Sequence, residues 1–225
     1  MSDWGHLTLL LGAGVVGVLV GLYLTMLVRR FYPTDTAETD ASSAVPRWAG
    51  RVMVPVTAVL FVVMAWLFGW SWQLPAYLFF AAAGVALSAI DLTYRRLPNA
   101  VVFPSLAIGN ALLLVAALLE ERWSALLGSV LGAIALFLLY LVLALISPRG
   151  MGMGDVKFAL IVGLFLTFQG WGVLIMGGFL GFLLGAVVGV ITLITRRGGL
   201  KTAVPFGPSM FGGAVLAVIW ATPTE

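Results

Sequence analysis

The chain has 225 residues, of which 62% are hydrophobic and 9% are charged, and its net charge is +3 at pH 7. Soluble domains typically carry about 25% charged residues, so this composition excludes a water-soluble surface and indicates that lipid is the main solvent. The absence of cysteine excludes disulfide bonds, a thiol nucleophile and a thiolate zinc site. The basic residues form short clusters between apolar runs, which indicates topology determinants and no nucleic-acid partner.

Eight apolar runs are candidates for membrane-crossing helices, since a hydrocarbon core about 30 Å thick needs about 20 mostly apolar residues. In chain order they cover residues 7–28, 53–70, 75–90, 100–119, 123–146, 156–168, 171–195 and 203–221. The sequence therefore predicts an all-α fold, a polytopic membrane helical bundle of about eight transmembrane helices. Residues 1–225 are expected to form a single integral membrane domain.

One stretch differs from the rest in composition. Residues 31–50 are rich in Thr, Ser, Ala, Asp and Pro. Such a composition cannot bury enough apolar surface to fold alone, so we expect a polar, mobile cytoplasmic linker.

The Lys and Arg residues predict the orientation, because cytoplasmic loops carry an excess of both. With eight helices and the N-terminus outside, the C-terminus also lies outside, and Arg122 is the one basic residue on the outer side. The basic residues on the cytoplasmic side are then Arg29, Arg30, Arg47, Arg51, Arg95, Arg96, Arg149, Lys157, Arg196, Arg197 and Lys201. Tryptophans near the outer ends suit an aromatic belt, and they are Trp70, Trp72, Trp123, Trp171 and Trp220.

Two acidic residues remain after those in the termini, the linker and an outer loop are set aside. Asp91 closes the third apolar run and Asp155 opens the sixth, so both are predicted on the cytoplasmic side. Ionisable groups at membrane depth are costly and mark functional candidates. The structural alternative is a helix cap or a balance for nearby Arg. The helix dipole favours that alternative for Asp155, at a helix start, and disfavours it for Asp91, near a helix end.

A pair of close carboxyl groups can hydrolyse a peptide. The two groups do not ionise together easily, so one keeps a proton while the other loses it. The ionised group takes a proton from water, and the protonated group polarises the peptide carbonyl. This chemistry requires no metal and no cofactor. The glycines before Asp155 are expected to leave room for a substrate backbone.

Three motifs together resemble the type IV prepilin peptidase family, a group of GxGD intramembrane aspartyl proteases. They are Asp91 followed by Leu97, Pro98 and Asn99; Gly152, Gly154 and Asp155 followed by Lys157; and Pro205, Phe206, Gly207 and Pro208 before the last helix. The resemblance covers about residues 75–220, the expected peptidase core. It implies that Asp91 and Asp155 are the catalytic pair and that the other motif residues shape the site or bind substrate.

The resemblance also implies a substrate and a location. The enzyme would lie in the bacterial cytoplasmic membrane, with its active site facing the cytoplasm and lipid around it. It would cut prepilins or pseudopilins between a short basic leader and an apolar helix. Bifunctional bacterial members carry a cysteine-rich domain between their first two helices and methylate the new N-terminus. Here that place holds only residues 31–50, so we expect cleavage without methylation.

Individual motif residues keep more than one interpretation. Lys157 either biases local charge, or holds a lipid phosphate, or sets topology. The segment from Pro205 to Pro208 either forms an extended backbone that pairs with the scissile segment or makes a rigid turn.

Alternatives to a prepilin peptidase remain at the level of the whole protein. Signal-peptide-peptidase-like and presenilin-like enzymes also use GxGD, but normally place Tyr before the first Asp, where this chain has Ile90. A proton-coupled transporter can use paired acids and Gly-rich helices, although these acids lie near one face and no internal repeat is visible. An inactive assembly scaffold could retain the same fold.

Overall fold

Eight helices make up most of the chain that the structure describes. The computed structural model describes residues 3–31, 47–94, 97–146, 152–194 and 205–222. The helices are α1 (Asp3–Phe31), α2 (Arg47–Phe68), α3 (Leu74–Tyr94), α4 (Asn99–Leu119), α5 (Trp123–Ile146), α6 (Met153–Gln169), α7 (Trp171–Ile194) and α8 (Gly207–Ala221). These ranges contain no strand, so the predicted all-α bundle is confirmed.

Six of the helices, α1 to α5 and α7, are long and apolar enough to cross a membrane. The chain is therefore a multi-pass membrane protein. The other two are shorter, with 17 residues in α6 and 15 in α8. Nearly every side chain of α6 from Asp155 to Phe168 is buried, because α4, α5, α7 and α8 pack around it. A helix that is surrounded by protein does not face lipid and can carry polar residues. Charged residues are therefore tolerated at the start of α6.

Several helix boundaries differ by a few residues from the predicted ones, and those of α2, α3 and α8 bear on the linker and the site. α2 begins at Arg47, because an apolar run marks the membrane core while a helix can extend past it; residues 32–46 of the predicted linker lie outside the described ranges. α3 continues to Tyr94, so Asp91 lies within the helix and does not close it. α8 begins at Gly207 and not at residue 203, with a proline in its first turn, a position that suits proline's fixed φ.

Four glycines of α7 recur every four residues, Gly177, Gly181, Gly185 and Gly189. Small residues at that spacing let two helices approach closely. A Cβ on Gly181 would lie 3.1 Å from the Cα of Met210 in α8. Gly177 faces Leu166, and Gly185 faces Phe206. The last glycine of the repeat, Gly189, is different, since a Cβ there would meet nothing within 4 Å.

The crossing of α5 and α6 is closer still. A Cβ on Gly163 would lie 2.6 Å from the carbonyl oxygen of Gly132 and 2.8 Å from the Cα of Ala133. Gly132 in turn lies against Thr167, whereas a Cβ on Gly128 would have no neighbour nearer than 3.9 Å. Of these two glycines of α5, Gly132 alone has a tight contact.

Polar contacts connect the helices at the end of the bundle opposite Asp91. The Gln73 side chain donates to Glu120 at 2.6 Å and accepts from Gln169 at 2.8 Å. Arg122 donates to the carbonyl of Phe168 at 3.2 Å, and its guanidinium lies 5.0 Å from the centre of that ring. These contacts join the start of α3, the α4–α5 turn and the end of α6. The exposed tryptophans of the predicted belt lie at this end: Trp70, Trp72, Trp123, Trp171 and Trp220.

Candidate active site

Asp91 is a buried residue in the last turn of α3. Its Oδ2 accepts a hydrogen bond from the backbone N–H of Gly207 at 2.9 Å. Gly207 is the first residue of α8, and the first N–H groups of a helix have no partner within the helix. The carboxyl group of α3 therefore supplies an acceptor to the N-terminus of α8, where the helix dipole also favours a negative charge.

Asp155 is buried in the first turn of α6, as the sequence predicted. Its Oδ2 accepts a long hydrogen bond of 3.4 Å from the backbone N–H of Gly152. Its Oδ1 has no hydrogen-bond partner among the described residues. Buried carboxyl oxygens normally have partners, so this unpartnered oxygen marks Asp155 as a candidate functional group.

The two aspartates lie within electrostatic reach of each other, because the charge of Asp91 acts on the Asp155 carboxyl group. α8 packs against both α3 and α6, which places the start of α8 beside both acids. Each carboxyl group thus lies at a helix N-terminus, Asp91 at that of α8 and Asp155 at that of α6.

A residue that sequence reasoning missed lies beside this pair. Tyr140 of α5 is fully buried, and its hydroxyl has no hydrogen-bond partner in the described parts of the chain. The charge of Asp155 acts on this hydroxyl group. The Tyr140 ring packs against Phe182 and Phe206, with centroids 5.3 and 5.8 Å away. The one signal in the sequence is a hydroxyl in an otherwise apolar run between Val130 and Ile146.

The two glycines before Asp155 differ in what they require. A Cβ on Gly154 would lie 3.1 Å from the Cβ of Leu97 and 3.2 Å from its backbone N, so the chain before α4 presses on this glycine. Gly152 has φ −79° and ψ 150°, which any residue can adopt, and a Cβ there would have no neighbour nearer than 3.8 Å. The chain thus approaches Gly154 closely, whereas the space beside Gly152 is open. That these glycines leave room for a substrate backbone stays a prediction.

Another motif contact links the starts of α4 and α6. The ammonium group of Lys157 donates a hydrogen bond of 2.7 Å to the side-chain oxygen of Asn99. Asn99 is the first residue of α4, and Pro98 before it is in an extended conformation. The segment from Leu97 to Asn99 is thereby held against α6 at two points, Gly154 and Lys157.

The segment before α8 forms a turn and not an extended strand. Phe206 has helical dihedral angles, φ −90° and ψ −23°, and its carbonyl accepts from the N–H of Met210. Its ring packs between Tyr140 and Phe182. The idea of an extended backbone from Pro205 to Pro208 is therefore wrong at Phe206 and beyond, and the rigid-turn interpretation is favoured. The turn fixes the position of Gly207 and hence of the N–H that Asp91 accepts.

The polar groups at this site are two carboxyl groups, two backbone N–H groups and a tyrosine hydroxyl. Within the described ranges, no group of three or more His, Cys, Asp or Glu side chains lies close enough to hold a metal ion. Such a site suits acid–base chemistry between two carboxyl groups.

The fold and the site define a class of protein: a helical membrane protein with two buried, interacting aspartates at helix N-termini. The chain belongs to the Type IV leader peptidase family, whose sequence profile matches residues 78–194, just over half of its length. Asp91 and Asp155 both lie within the matched range.

Curated relatives support the same family. The chain is 34% identical over 161 residues to the prepilin leader peptidase/N-methyltransferase of Stutzerimonas stutzeri, covering 70% of this chain and 53% of the relative. It is 34% identical over 168 residues to the protein of that name from Pseudomonas aeruginosa, with 73% and 56% covered. With the one from Bacillus subtilis it shares 30% identity over 165 residues, with 73% and 63% covered.

The chain thus spans a little over half the length of the curated relatives it matches. None of these three is named as a transporter. No solved structure matches the chain.

Proposed function

We propose that this protein is an intramembrane aspartic endopeptidase that removes the leader from type IV prepilins or pseudopilins, with Asp91 and Asp155 as its catalytic pair. One observation supports this function above all. Two buried carboxyl groups, one on α3 and one on α6, interact electrostatically at the start of α8, inside the range that matches the leader peptidase family.

The reaction needs one proton shared between the two carboxyl groups. The ionised carboxylate takes a proton from water, and the water oxygen bonds to the carbonyl carbon of the scissile peptide. The protonated carboxyl group gives its proton to the carbonyl oxygen. The tetrahedral intermediate then collapses, the C–N bond breaks and the leaving amine takes up a proton. The buried Oδ1 of Asp155 has no partner in the described chain, and we assign the attacking water to it.

The relatives' names give two activities, leader peptidase and N-methyltransferase. We propose only the peptidase activity for this chain. Family members that methylate carry a cysteine-rich domain between their first two helices, and here that interval holds the polar residues 31–50 and no cysteine. Cleavage would then leave an unmethylated N-terminus. The positive-inside distribution of Lys and Arg supports an orientation with the active site at the cytoplasmic face of the cytoplasmic membrane, so leaders would be cut there.

Cleavage of a short-leader prepilin by the purified protein in lipid vesicles tests this function. The wild type should cut at the leader junction, and Asp91→Ala and Asp155→Ala should each give no product above the enzyme-free level. Glu121→Ala removes an acid at the opposite end of the bundle and should cut like the wild type. Mass spectrometry of the product, with S-adenosylmethionine present, should show no added methyl group.

Two results would contradict the proposal. If either aspartate variant inserts and folds like the wild type and still cleaves, Asp91 and Asp155 are not a catalytic pair. If the wild type cuts none of several prepilins, the proposed peptidase activity is wrong.

A further inference from the structure

An apolar groove on α2, α3 and α8 begins beside Asp91. Its cavity volume is about 430 Å³. α2 lines the groove between Val52 and Leu60, α3 between Val85 and Leu92, and α8 between Pro208 and Leu216, and α7 contributes Leu184. Leu92 directly follows Asp91, so the groove and the candidate catalytic pair share a wall.

The groove runs along the helices and not across them. α2 and α3 are antiparallel neighbours joined by a short turn, so Val52 on α2 and Leu92 on α3 lie at the same end. Pro208, in the first turn of α8, also lies at this end, next to the Gly207 N–H that Asp91 accepts. Eight residues of helix cover about 12 Å. The groove therefore leads from the depth of Asp91 toward the middle of the bundle for about two helical turns.

One polar group interrupts the apolar lining. Ser88 lies one turn before Asp91, and its buried hydroxyl has no hydrogen-bond partner among the described residues. Buried threonines elsewhere in the bundle behave differently: Thr57 and Thr167 each donate to the carbonyl one turn earlier in their own helix, at 2.7 and 2.8 Å. An unpaired hydroxyl in an apolar environment costs free energy. The position of Ser88 thus indicates an occupant that is apolar over most of its length and offers a polar group near Asp91.

We propose that this groove binds the apolar segment of the substrate polypeptide next to the scissile bond, and that Ser88 hydrogen-bonds the backbone of that segment. The inference rests on the peptidase function proposed above. The apolar helix of the substrate begins beside the catalytic pair, and its first backbone N–H groups have no partner within the helix. The Ser88 hydroxyl lies at that depth and can accept a hydrogen bond from one of them. A lipid acyl chain could fill the apolar part, but it has no partner for Ser88.

A second groove provides a matched control. It lies between α5 and α7, has a cavity volume of about 260 Å³, and is lined by side chains from these two helices alone. Leu139 in this control groove and Leu216 in the proposed substrate groove are exposed to similar extents, 49% and 45%. Leu→Trp at either position fills a groove without disturbing a buried side chain.

Kinetics on two substrates test the proposal. With a full-length prepilin in phosphatidylethanolamine and phosphatidylglycerol vesicles, Leu216→Trp should raise KM about tenfold with little change in kcat, and Leu139→Trp should change neither. With a peptide that ends shortly after the scissile bond and lacks the apolar segment, Leu216→Trp should match the wild type. Ser88→Ala should raise KM for the full-length substrate severalfold, and Ser88→Thr should restore it in part.

A photoreactive side chain at position 216 gives a readout that does not depend on turnover. It should crosslink the prepilin, whereas the same group at position 139 should not. The groove proposal is overturned if the two Trp variants have equal KM values, or if position 216 captures lipid alone. Cleavage by the wild type would still support the peptidase function in either case. A wild type that neither cleaves nor crosslinks overturns both. Should Leu216→Trp fail to fold, Val56→Trp on the α2 wall replaces it.

Discussion

The backbone N–H of Gly207 donates a 2.9 Å hydrogen bond to Oδ2 of Asp91, and the two residues are 116 positions apart in the chain. A Cβ on residue 207 would lie 2.8 Å from that same oxygen and 3.3 Å from the Cγ of Asp91. Glycine at this position therefore has a steric reason. Only a residue without a side chain lets the start of α8 approach the carboxyl group so closely.

Gly207→Ala should lower cleavage by about 100-fold, since a misplacement of about 1 Å in catalytic groups can have that effect. The added methyl group would displace the Asp91 carboxyl or break its hydrogen bond, while the rest of α8 stays packed. Gly189→Ala is the matched control, because a Cβ there meets nothing within 4 Å. Initial rates on a prepilin, with melting temperatures recorded beside them, check this. Equal rates for the two variants would show that Asp91 does not depend on Gly207.

The two glycines of the GxGD motif should respond differently to alanine. Gly154→Ala pushes a methyl group against Leu97, where the distances to its Cβ and backbone N are 3.1 and 3.2 Å. Either Leu97 or the first turn of α6 must then move, and Asp155 with it, so we expect cleavage to fall about tenfold or more. Gly152→Ala has open space and ordinary dihedral angles, and its rate should stay within about twofold of the wild type.

A large loss in Gly152→Ala would contradict this distinction. It would mean that the substrate itself needs the space beside Gly152, which a comparison of KM between the two variants would reveal.

The sequence predicted the features that depend on local composition. Long apolar runs gave the number of helices, and their polar interruptions gave most of the turns. The start of α6 was predicted correctly to within a few residues, because a Gly-rich break precedes it. Asp155 at that start followed directly.

Features that depend on distant contacts were not predictable in this way. α3 extends past its apolar run to Tyr94, since hydropathy reports the membrane core and not the helix end. No local pattern marks Tyr140 as a neighbour of Asp155, because the packing of α5 on α6 brings them together. The unpartnered hydroxyl of Ser88 is likewise visible only once α2 and α8 are placed beside α3.

Two buried tyrosines allow a test of which hydroxyl is structural. The hydroxyl of Tyr77 donates to the carbonyl of Phe165 at 2.8 Å and so ties α3 to α6. Tyr77→Phe should lower the free energy of unfolding by about 1 kcal/mol. Tyr140→Phe removes a buried hydroxyl that has no partner among the described residues, so stability should be unchanged or slightly higher.

Activity should show the opposite order. Because the charge of Asp155 acts on the Tyr140 hydroxyl, Tyr140→Phe should lower kcat, while Tyr77→Phe should leave it near the wild-type value. Unfolding in a denaturant series and single-turnover cleavage measure the two quantities separately. If Tyr140→Phe destabilises the protein and spares kcat, the hydroxyl has a structural role and no influence on the catalytic pair.

The crossing of α5 and α6 should be the place where the bundle least tolerates an added methyl group. A Cβ on Gly163 would lie 2.6 Å from the carbonyl oxygen of Gly132 and 2.8 Å from the Cα of Ala133. Both are backbone atoms, which cannot rotate away, so the helices must separate. We expect Gly163→Ala to lower the free energy of unfolding by about 1–3 kcal/mol or more. Gly128 lies one turn before Gly132 on the same face of α5, and a Cβ there would have its nearest neighbour at 3.9 Å. Gly128→Ala should therefore be neutral or stabilising, because alanine favours the helix. Thermal unfolding of both variants in one detergent gives the comparison, and equal melting temperatures would show that the two helices do not meet at Gly163.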